Sequence, residues 1–423
     1  MSIPELYTLF QDCTGISTDT RSITKDNLFF ALKGENFNGN KFAEQALEKG
    51  AKYVIIDEKE YLTSNQTILV DDALTCLQDL AQHHRRTLGI PIISITGSNG
   101  KTTTKELINT VLSQGYNTAA TKGNLNNHIG VPLTLLSMNE STEIAIVELG
   151  ANHHNEIAIL SNIAEPDYGY ITNFGKAHLE GFGSVEGVVK AKSELYDYLR
   201  KNNKMAFVNL DDPKQAKQAE GIQLITFSSA KESTIHIKLN SADPFVEINF
   251  DKTNIKSNLI GNYNFNNIAA AVCIGNYFKI STEKIQKAIE KYTPTNNRSQ
   301  IIRKGEKEII LDAYNANPSS MAAALDNFSQ LQKDCKVVIL GDMFELGNTS
   351  AIEHQKIVDY LEESDFDKIL LFGEHFEKTT HSNKIITYHK LDVEKFSAVI
   401  PHNATLLVKG SRGMALERVI DLI

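Results

Sequence analysis

The feature that most constrains this chain is the junction at residues 95–104, where an apolar run passes through Gly97, Ser98, Asn99, Gly100 and Lys101 into Thr102, Thr103 and Thr104. The segment before it, IPIISIT (90–96), has the apolar, β-branched character of a strand buried on both faces. The segment after it sets Leu107, Ile108, Val111 and Leu112 at helical spacing. A strand that turns through glycines into a helix is a βα unit, and it commits its surroundings to a parallel sheet covered by helices. Glycines also let backbone N–H groups curl around phosphate oxygens at a helix N-terminus. Lys101 would then neutralise the β/γ-phosphates of a nucleotide, and the Thr102 hydroxyl would reach Mg²⁺. The strict pattern G-x-x-x-x-G-K-[ST] is not met, because Ile95 stands at its first glycine; the loop is the shorter G-x-x-G-K-T-T. The plainer alternative is a glycine-rich turn with a surface lysine. The strand before, the helix after and three consecutive threonines weigh against it.

The same strand–helix rhythm runs along all 423 residues and divides them in three. LFFAL (28–32), YVIID (53–57) and TILVDD (67–72) read as short strands. Leu74, Leu77, Leu80 and Ala81 mark a helix over 73–86, broken by Gly89 and Pro91. From IPIISIT the alternation continues through EIAIVEL (143–149), YGYIT (168–172) and MAFVNL (205–210) to about Thr295. It resumes in EIILD (308–312), KVVILG (336–341), KILLFG (368–373), KIITY (384–388) and TLLVKG (405–410). The expectation is an α/β chain of three domains. A small α/β unit occupies 1–86, a central P-loop-type, mostly parallel sheet with helices on both faces 87–296, and a Rossmann-like α/β unit 297–423. No G-x-G-x-x-G follows any of these strands, so a nicotinamide cofactor has no support.

A net charge of −9 argues against nucleic acid as a partner. No apolar run approaches the length of a membrane span, and the first residues lack a signal peptide's pattern. The four cysteines (Cys13, Cys76, Cys273, Cys335) form no C-x-x-C pair and read as free thiols of a reducing compartment, hence the cytoplasm.

Other residues gain meaning beside a phosphate loop. Glu148 ends a nearly continuous apolar strand, at the rim where ligands bind in parallel sheets, and can hold Mg²⁺ there; alone it would read as an exposed strand-end glutamate. His178, in the loop NFGKAHLEGFG, on its own reads as solvated. Lys192 differs from its neighbour Lys190 on the helix predicted over 185–199. Val188, Val189, Leu195 and Tyr196 surround Lys192, whereas Glu186, Gly187, Ser193 and Glu194 surround Lys190, so Lys192 points inward. A desolvated lysine is a neutral amine that can take up CO₂ as a carbamate able to ligate Mg²⁺; the plain reading is a lysine that snorkels out. Asn264 and Asn267 either meet an adenine edge or cap a helix. Arg298 stands at the second domain boundary and Asp312 at a strand end, each with an ordinary loop reading.

Taken in order, these segments resemble the Mur ligases nearly end to end. STDTRSI and LFFALKGENFNGNKFAEQA within 17–46 are similar to that family's nucleotide-sugar domain, and TGSNGKTTTK (96–105) to its ATP loop. GNLNNHIGVPLTLL (123–136) is similar to the loop that meets the muramoyl substrate, and VELGANHHNEI (147–157) and NFGKAHLEGFGSVEGVVKAKSE (173–194) to the metal segments. LDAYNANPSSM (311–321), LGDMFELG (340–347) and VKGSRGMALERV (408–419) resemble the branch that adds D-alanyl-D-alanine.

The resemblance implies ATP bound by Gly97, Ser98, Asn99, Gly100, Lys101, Thr102 and Thr103, with Asn267 at adenine and Arg298 and Asp312 reaching in from the third domain. It implies two Mg²⁺ ions near Thr102, Glu148, His178 and a carbamylated Lys192, with Lys101, Glu148, His178 and Lys192 as the catalytic set. UDP-N-acetylmuramoyl-tripeptide and D-Ala-D-Ala are expected among Thr20, Arg21, Lys33, Asn126, Asn127, Asn315, Asn317 and Arg412, the dipeptide on the third domain, in a monomer. Tyr263 departs from the histidine expected there in many relatives.

The implied chemistry is an acyl phosphate formed from ATP and then attacked by an amine, with the outer domains closing over the centre to exclude water. A diaminopimelate-adding relative would show D-N-P-R, which is absent. A nucleotide switch or motor would not need an inward Lys192, and a silent nucleotide-binding module would be expected to have lost Lys101, Glu148 or Lys192.

Overall fold

The computed structural model describes residues 1–389 and 399–423. Three mixed α/β layers follow one another along the chain, as the alternation of apolar runs predicts. The first sheet is wholly parallel, in the spatial order Ile16–Ser17, Asn27–Phe30, Ala51–Ile56, Thr67–Leu69. Leu28, Phe30, Val54, Ile55 and Ile56 are fully buried, which is why these runs show no polar alternation. The helix Ala73–Leu88 starts where Asp72 accepts the Thr75 N–H. It is bonded to the next layer: Gln78 Nε2 donates to His128 O at 3.0 Å, and Arg85 pairs with Asp167 at 2.7 Å.

The second sheet has nine strands. Thr118–Ala120, Ile144–Glu148, Ile92–Thr96, Tyr168–Ile171, Met205–Asn209, Gln223–Ser228 and Ile235–Ser241 are parallel neighbours in that order. Phe245–Phe250 and Thr253–Ile260 then complete the sheet as antiparallel strands. The segment 223–260 thus carries strands where continued strand–helix alternation is expected. Its strands alternate buried and exposed residues, because a peripheral meander keeps one face in water. The helices Lys101–Leu112 and Tyr263–Tyr277 pack on one face and bury Leu107, Ile108, Val111, Ile268, Val272 and Ile274 completely. The helix Val185–Lys201 covers the other; Ser184 caps it by accepting the Gly187 N–H, and Arg200 and Lys201 suit its negative end.

The third sheet runs Gln300–Lys304, Lys307–Asp312, Thr405–Lys409, Lys336–Gly341, Lys368–Phe372, Ile385–Tyr388, parallel except for its first strand. It touches the central layer through side chains. Asn317 Nδ2 donates to Asn99 Oδ1 at 2.7 Å, the Lys176 N–H to Ser319 Oγ at 2.8 Å, and Lys176 Nζ pairs with Glu353 at 3.1 Å. Among the described residues no helix is long and apolar enough to cross a membrane.

Candidate active site

Adjacent parallel strands of the central sheet end at one rim, and their loops meet there. Ile92–Thr96 leads into the glycine loop, Ile144–Glu148 into Glu148 itself, and Tyr168–Ile171 into the loop that carries His178. The two loop glycines are required by shape. Gly97 has φ +140° and a Cβ there would lie 2.0 Å from Thr172 Oγ1; Gly100 has φ +79° and its Cβ would lie 2.6 Å from Asn267 Oδ1. The loop is braced from beneath. Ser98 Oγ donates to Gly175 O at 2.8 Å, Thr172 Oγ1 to Asn99 O at 2.5 Å, and the Asn99 N–H to Asn173 Oδ1 at 3.1 Å. Lys101 Nζ curls over its own loop to donate to Gly97 O at 2.7 Å. Desolvation by the surrounding protein moves its pKa down, opposed by Glu148 and assisted by Arg298. Thr102 and Thr103 are buried in the first turn of the following helix.

Glu148 is 2% exposed. Its Oε1 accepts from Asn126 Nδ2 at 2.8 Å, while its Oε2 is buried without a partner among the described residues. A bare buried carboxylate oxygen is costly, and a cation ligand would satisfy it. Asn127, next to Asn126, accepts the Gly130 N–H at 2.8 Å where the helix Gly130–Leu136 begins. His178 holds φ +51° at the start of the short helix Leu179–Phe182, and its Nδ1 makes an ion-pair contact with Glu345 Oε2 of the third domain that is not aligned as a hydrogen bond.

Lys192 is 0% exposed, as its helical spacing predicts, whereas Lys190 is exposed. Its Nζ donates to Ala151 O at 3.2 Å and stands 5.1 Å from the centre of the Phe182 ring, with no carboxylate among the described residues in ion-pair contact. Burial first, and the charge of Lys101 second, hold its pKa well below the ordinary lysine range against the pull of Glu156 and Glu194. Among the described residues no three His, Cys, Asp or Glu side chains form a ready-made metal cage. Mg²⁺ does not need one, since it commonly takes one or two carboxylates and fills its octahedron with water and phosphate oxygens. Glu148 and the Thr102 hydroxyl fit that donor set.

A cleft of about 1020 Å³ opens above these groups. From the central domain it is lined by Ser98 to Thr103, Asn126, Asn127, Glu148, His178 and Asn267, and from the third by Arg298, Asp312, Asn315 and Asn317. Asn267 accepts from Thr104 Oγ1 at 3.0 Å and donates to Asn264 at 2.8 Å, so it is fixed before any ligand arrives. The Arg298 guanidinium lies 3.7 Å from the centre of the Tyr314 ring, and its Nε is buried without a partner among the described residues. Asp312 accepts the Ser299 N–H at 3.1 Å and pairs with Lys409 at 2.5 Å. Tyr263 also lines the cleft, its hydroxyl 2.9 Å from Ser299 Oγ, joining the second domain to the start of the third.

Gly97 and Lys192 do not line the cleft, but each adjoins a lining residue: Gly97 precedes Ser98, and Lys192 bonds Ala151 O. Thr20, Arg21, Lys33 and Arg412 do not line it. Arg21 pairs with Asp19 at 2.6 Å and Lys33 with Asp57 at 3.2 Å; Lys49 bonds the Thr20 carbonyl at 3.0 Å. Arg412 is exposed, paired with Glu417 at 3.0 Å, and its guanidinium lies 5.8 Å from the centre of the cleft-lining Tyr314 ring. Three neighbours of the site are absent from the sequence reading: Lys409, Tyr314 and Glu345. Lys409 had a signal, a lysine at the end of an apolar strand, in register with Asp312 on the next strand.

A phosphate loop, a strand-end carboxylate with an open oxygen, an inward lysine and a third domain reaching the same cleft define an ATP-using ligase architecture. Three family profiles cover the chain in order: "Mur ligase family, catalytic domain" over 12–94, "Mur ligase middle domain" over 95–275, and "Mur ligase, glutamate ligase domain" over 297–412. The chain belongs to the Mur ligase family. Similar curated proteins include the UDP-N-acetylmuramoyl-tripeptide–D-alanyl-D-alanine ligases of Bacillus subtilis and Escherichia coli. The first is 35% identical over 97% of this chain and 93% of its own length, the second 32% over 96% and 92%. Among solved structures, MurF of Acinetobacter baumannii superposes with a TM-score of 0.87 at 30% identity, covering 99% of this chain and 98% of that one. MurF of Thermotoga maritima, in complex with ADP, gives 0.86 at 26% identity over 98% and 97%.

Proposed function

We propose that the chain is a UDP-N-acetylmuramoyl-tripeptide–D-alanyl-D-alanine ligase that works through an acyl phosphate. The observation that carries this reading is the shared cleft, lined by the glycine loop, by Glu148 with its unpartnered oxygen, and by the third-domain residues Arg298 and Asp312. The terminal carboxylate of the tripeptide attacks the γ-phosphorus of ATP and ADP leaves. The amine of D-Ala-D-Ala then attacks the acyl carbon, and phosphate departs with the bridging oxygen.

The residues act by position and charge. Backbone N–H groups of Ser98 to Thr103 cradle the phosphates, and Lys101 releases its bond to Gly97 O to meet them. Asn267 meets adenine, while Arg298 and Asp312 hold the nucleotide from the third domain. Glu148, Thr102, His178 and a carbamylated Lys192 would hold two Mg²⁺ ions, which offset the phosphates' negative charge. Carbamylation joins the neutral Lys192 amine to CO₂ and releases one proton; the downward shift that burial imposes on its pKa supports it, because burial favours the uncharged amine. Residues 1–86, with Thr20, Arg21 and Lys33, would bind the uridine nucleotide. Asn126 and Asn127 in 87–296 would meet the muramoyl portion. Asn315, Asn317 and Arg412 in 297–423 would meet the dipeptide. We assign the protein to the cytoplasm, as a monomer whose outer domains close over the centre during turnover.

The test is phosphate release from ATP with UDP-N-acetylmuramoyl-tripeptide, D-Ala-D-Ala or other amines supplied in parallel. Release that needs both, with the pentapeptide seen by mass spectrometry, supports the reading. Release with another amine moves the chain to a sister ligase, and release from ATP alone makes it a hydrolase.

A further inference from the structure

The loop after strand Lys336–Gly341 belongs to the third domain, yet it is laid on the central domain beside His178. The Glu180 N–H donates to the Glu345 carbonyl at 3.2 Å. Two residues on, a Cβ at Gly347 would come within 3.3 Å of Glu180 Cβ, so the two backbones lie close. Glu345, at φ +61°, turns its side chain back so that Oε2 meets His178 Nδ1 across the domain boundary. His178 Nε2 has no hydrogen-bond partner among the described residues, and His178 lines the same cleft as Glu148 and Thr102. Metal-binding histidines commonly give their second ring N–H to a carboxylate, which fixes tautomer and ring orientation. Here a carboxylate is in ion-pair contact with Nδ1 from a separate domain.

We infer that Glu345 is a positioning residue: it sets His178 so that the opposite ring nitrogen serves the metal, and it thereby makes the metal site complete only when the third domain is docked. This rests on the reading of His178 as a metal ligand. Docking and metal binding then strengthen each other by the same factor. The ion pair Lys176–Glu353 lies on the same interface at 3.1 Å and does not touch His178, so it separates loss of docking from loss of positioning.

The test is Mn²⁺ binding to the full chain, followed by electron paramagnetic resonance with ADP and UDP-N-acetylmuramoyl-tripeptide present, alongside steady-state kinetics. Glu345→Ala is expected to weaken Mn²⁺ binding and lower kcat by about 10- to 100-fold, with KM for ATP within about twofold. Glu345→Gln, which keeps an acceptor but no charge, falls between it and the unaltered chain. Lys176→Ala, which loosens docking but leaves Glu345 on His178, weakens Mn²⁺ binding less than Glu345→Ala does. The inference is overturned if Glu345→Ala binds Mn²⁺ normally while His178→Ala does not, or if Lys176→Ala is impaired as much as Glu345→Ala. Normal Mn²⁺ binding by His178→Ala overturns the metal reading itself, and this inference with it.

Discussion

Replacing Lys192 by Met separates the cost of burying an amine from the use made of it. Methionine keeps the unbranched length of the side chain, so the packing against Val188, Leu195 and Tyr196 is retained. One hydrogen bond, to Ala151 O, is lost, at a cost of about 1 kcal/mol. Against this stands the depressed pKa of the buried amine. Between that pKa and the ordinary lysine value the unfolded chain binds a proton that the folded chain does not. Stability conferred by the native lysine therefore rises with pH, by about 1.4 kcal/mol per unit, and declines as pH falls. Lys192→Met removes this slope. In CO₂-free buffer near neutral pH the variant should be as stable as the parent or more so, by roughly 1–3 kcal/mol, with its advantage shrinking as pH rises. Its ligase activity should fall at least about 100-fold, because no carbamate can form. Denaturant titrations at several pH values, paired with phosphate-release rates, measure both. A variant that is destabilised by the same amount at every pH, or that keeps full activity, would falsify the reasoning.

Two further outcomes follow from the geometry. Gly100→Ala places an L residue at φ +79° with its Cβ on Asn267 Oδ1, costing about 1–2 kcal/mol in backbone strain before the clash. ATP affinity measured by calorimetry should drop at least about tenfold while the central domain stays folded; unchanged affinity would show that the loop shape is not what binds phosphate. Lys409→Met strands the carboxylate of Asp312, which is largely buried, and should cost about 3–5 kcal/mol, whereas Lys409→Met combined with Asp312→Leu should recover most of that stability. A double variant no more stable than the single one would show that the pair is not coupled.

The chain shows its buried elements more openly than its half-buried ones. Lys336–Gly341 matches its apolar run residue for residue, and Ile92–Thr96 and Ile144–Glu148 fall within theirs, because a strand covered on both faces must be apolar throughout. Ile235–Ser241 and Thr253–Ile260 escape the same reading since only alternate residues are buried. The inward Lys192 is legible for a related reason: on a helix, neighbours three and four residues away share its environment. Lys409 and Glu345 act through partners 97 and 167 residues distant, Asp312 and His178, and no local spacing encodes such a meeting. Thr20, Arg21 and Lys33 rest on the family resemblance alone; the structure sets them away from the cleft, with Arg21 and Lys33 paired to acids of their own domain.

The central claim is that the tripeptide's own carboxylate accepts the phosphoryl group before the amine attacks. It is tested by turning over UDP-N-acetylmuramoyl-tripeptide labelled with ¹⁸O in its terminal carboxylate, with ATP and D-Ala-D-Ala, and weighing the phosphate released. An acyl phosphate requires one labelled oxygen to leave in each phosphate. Phosphate free of label, formed alongside the pentapeptide, would contradict the account.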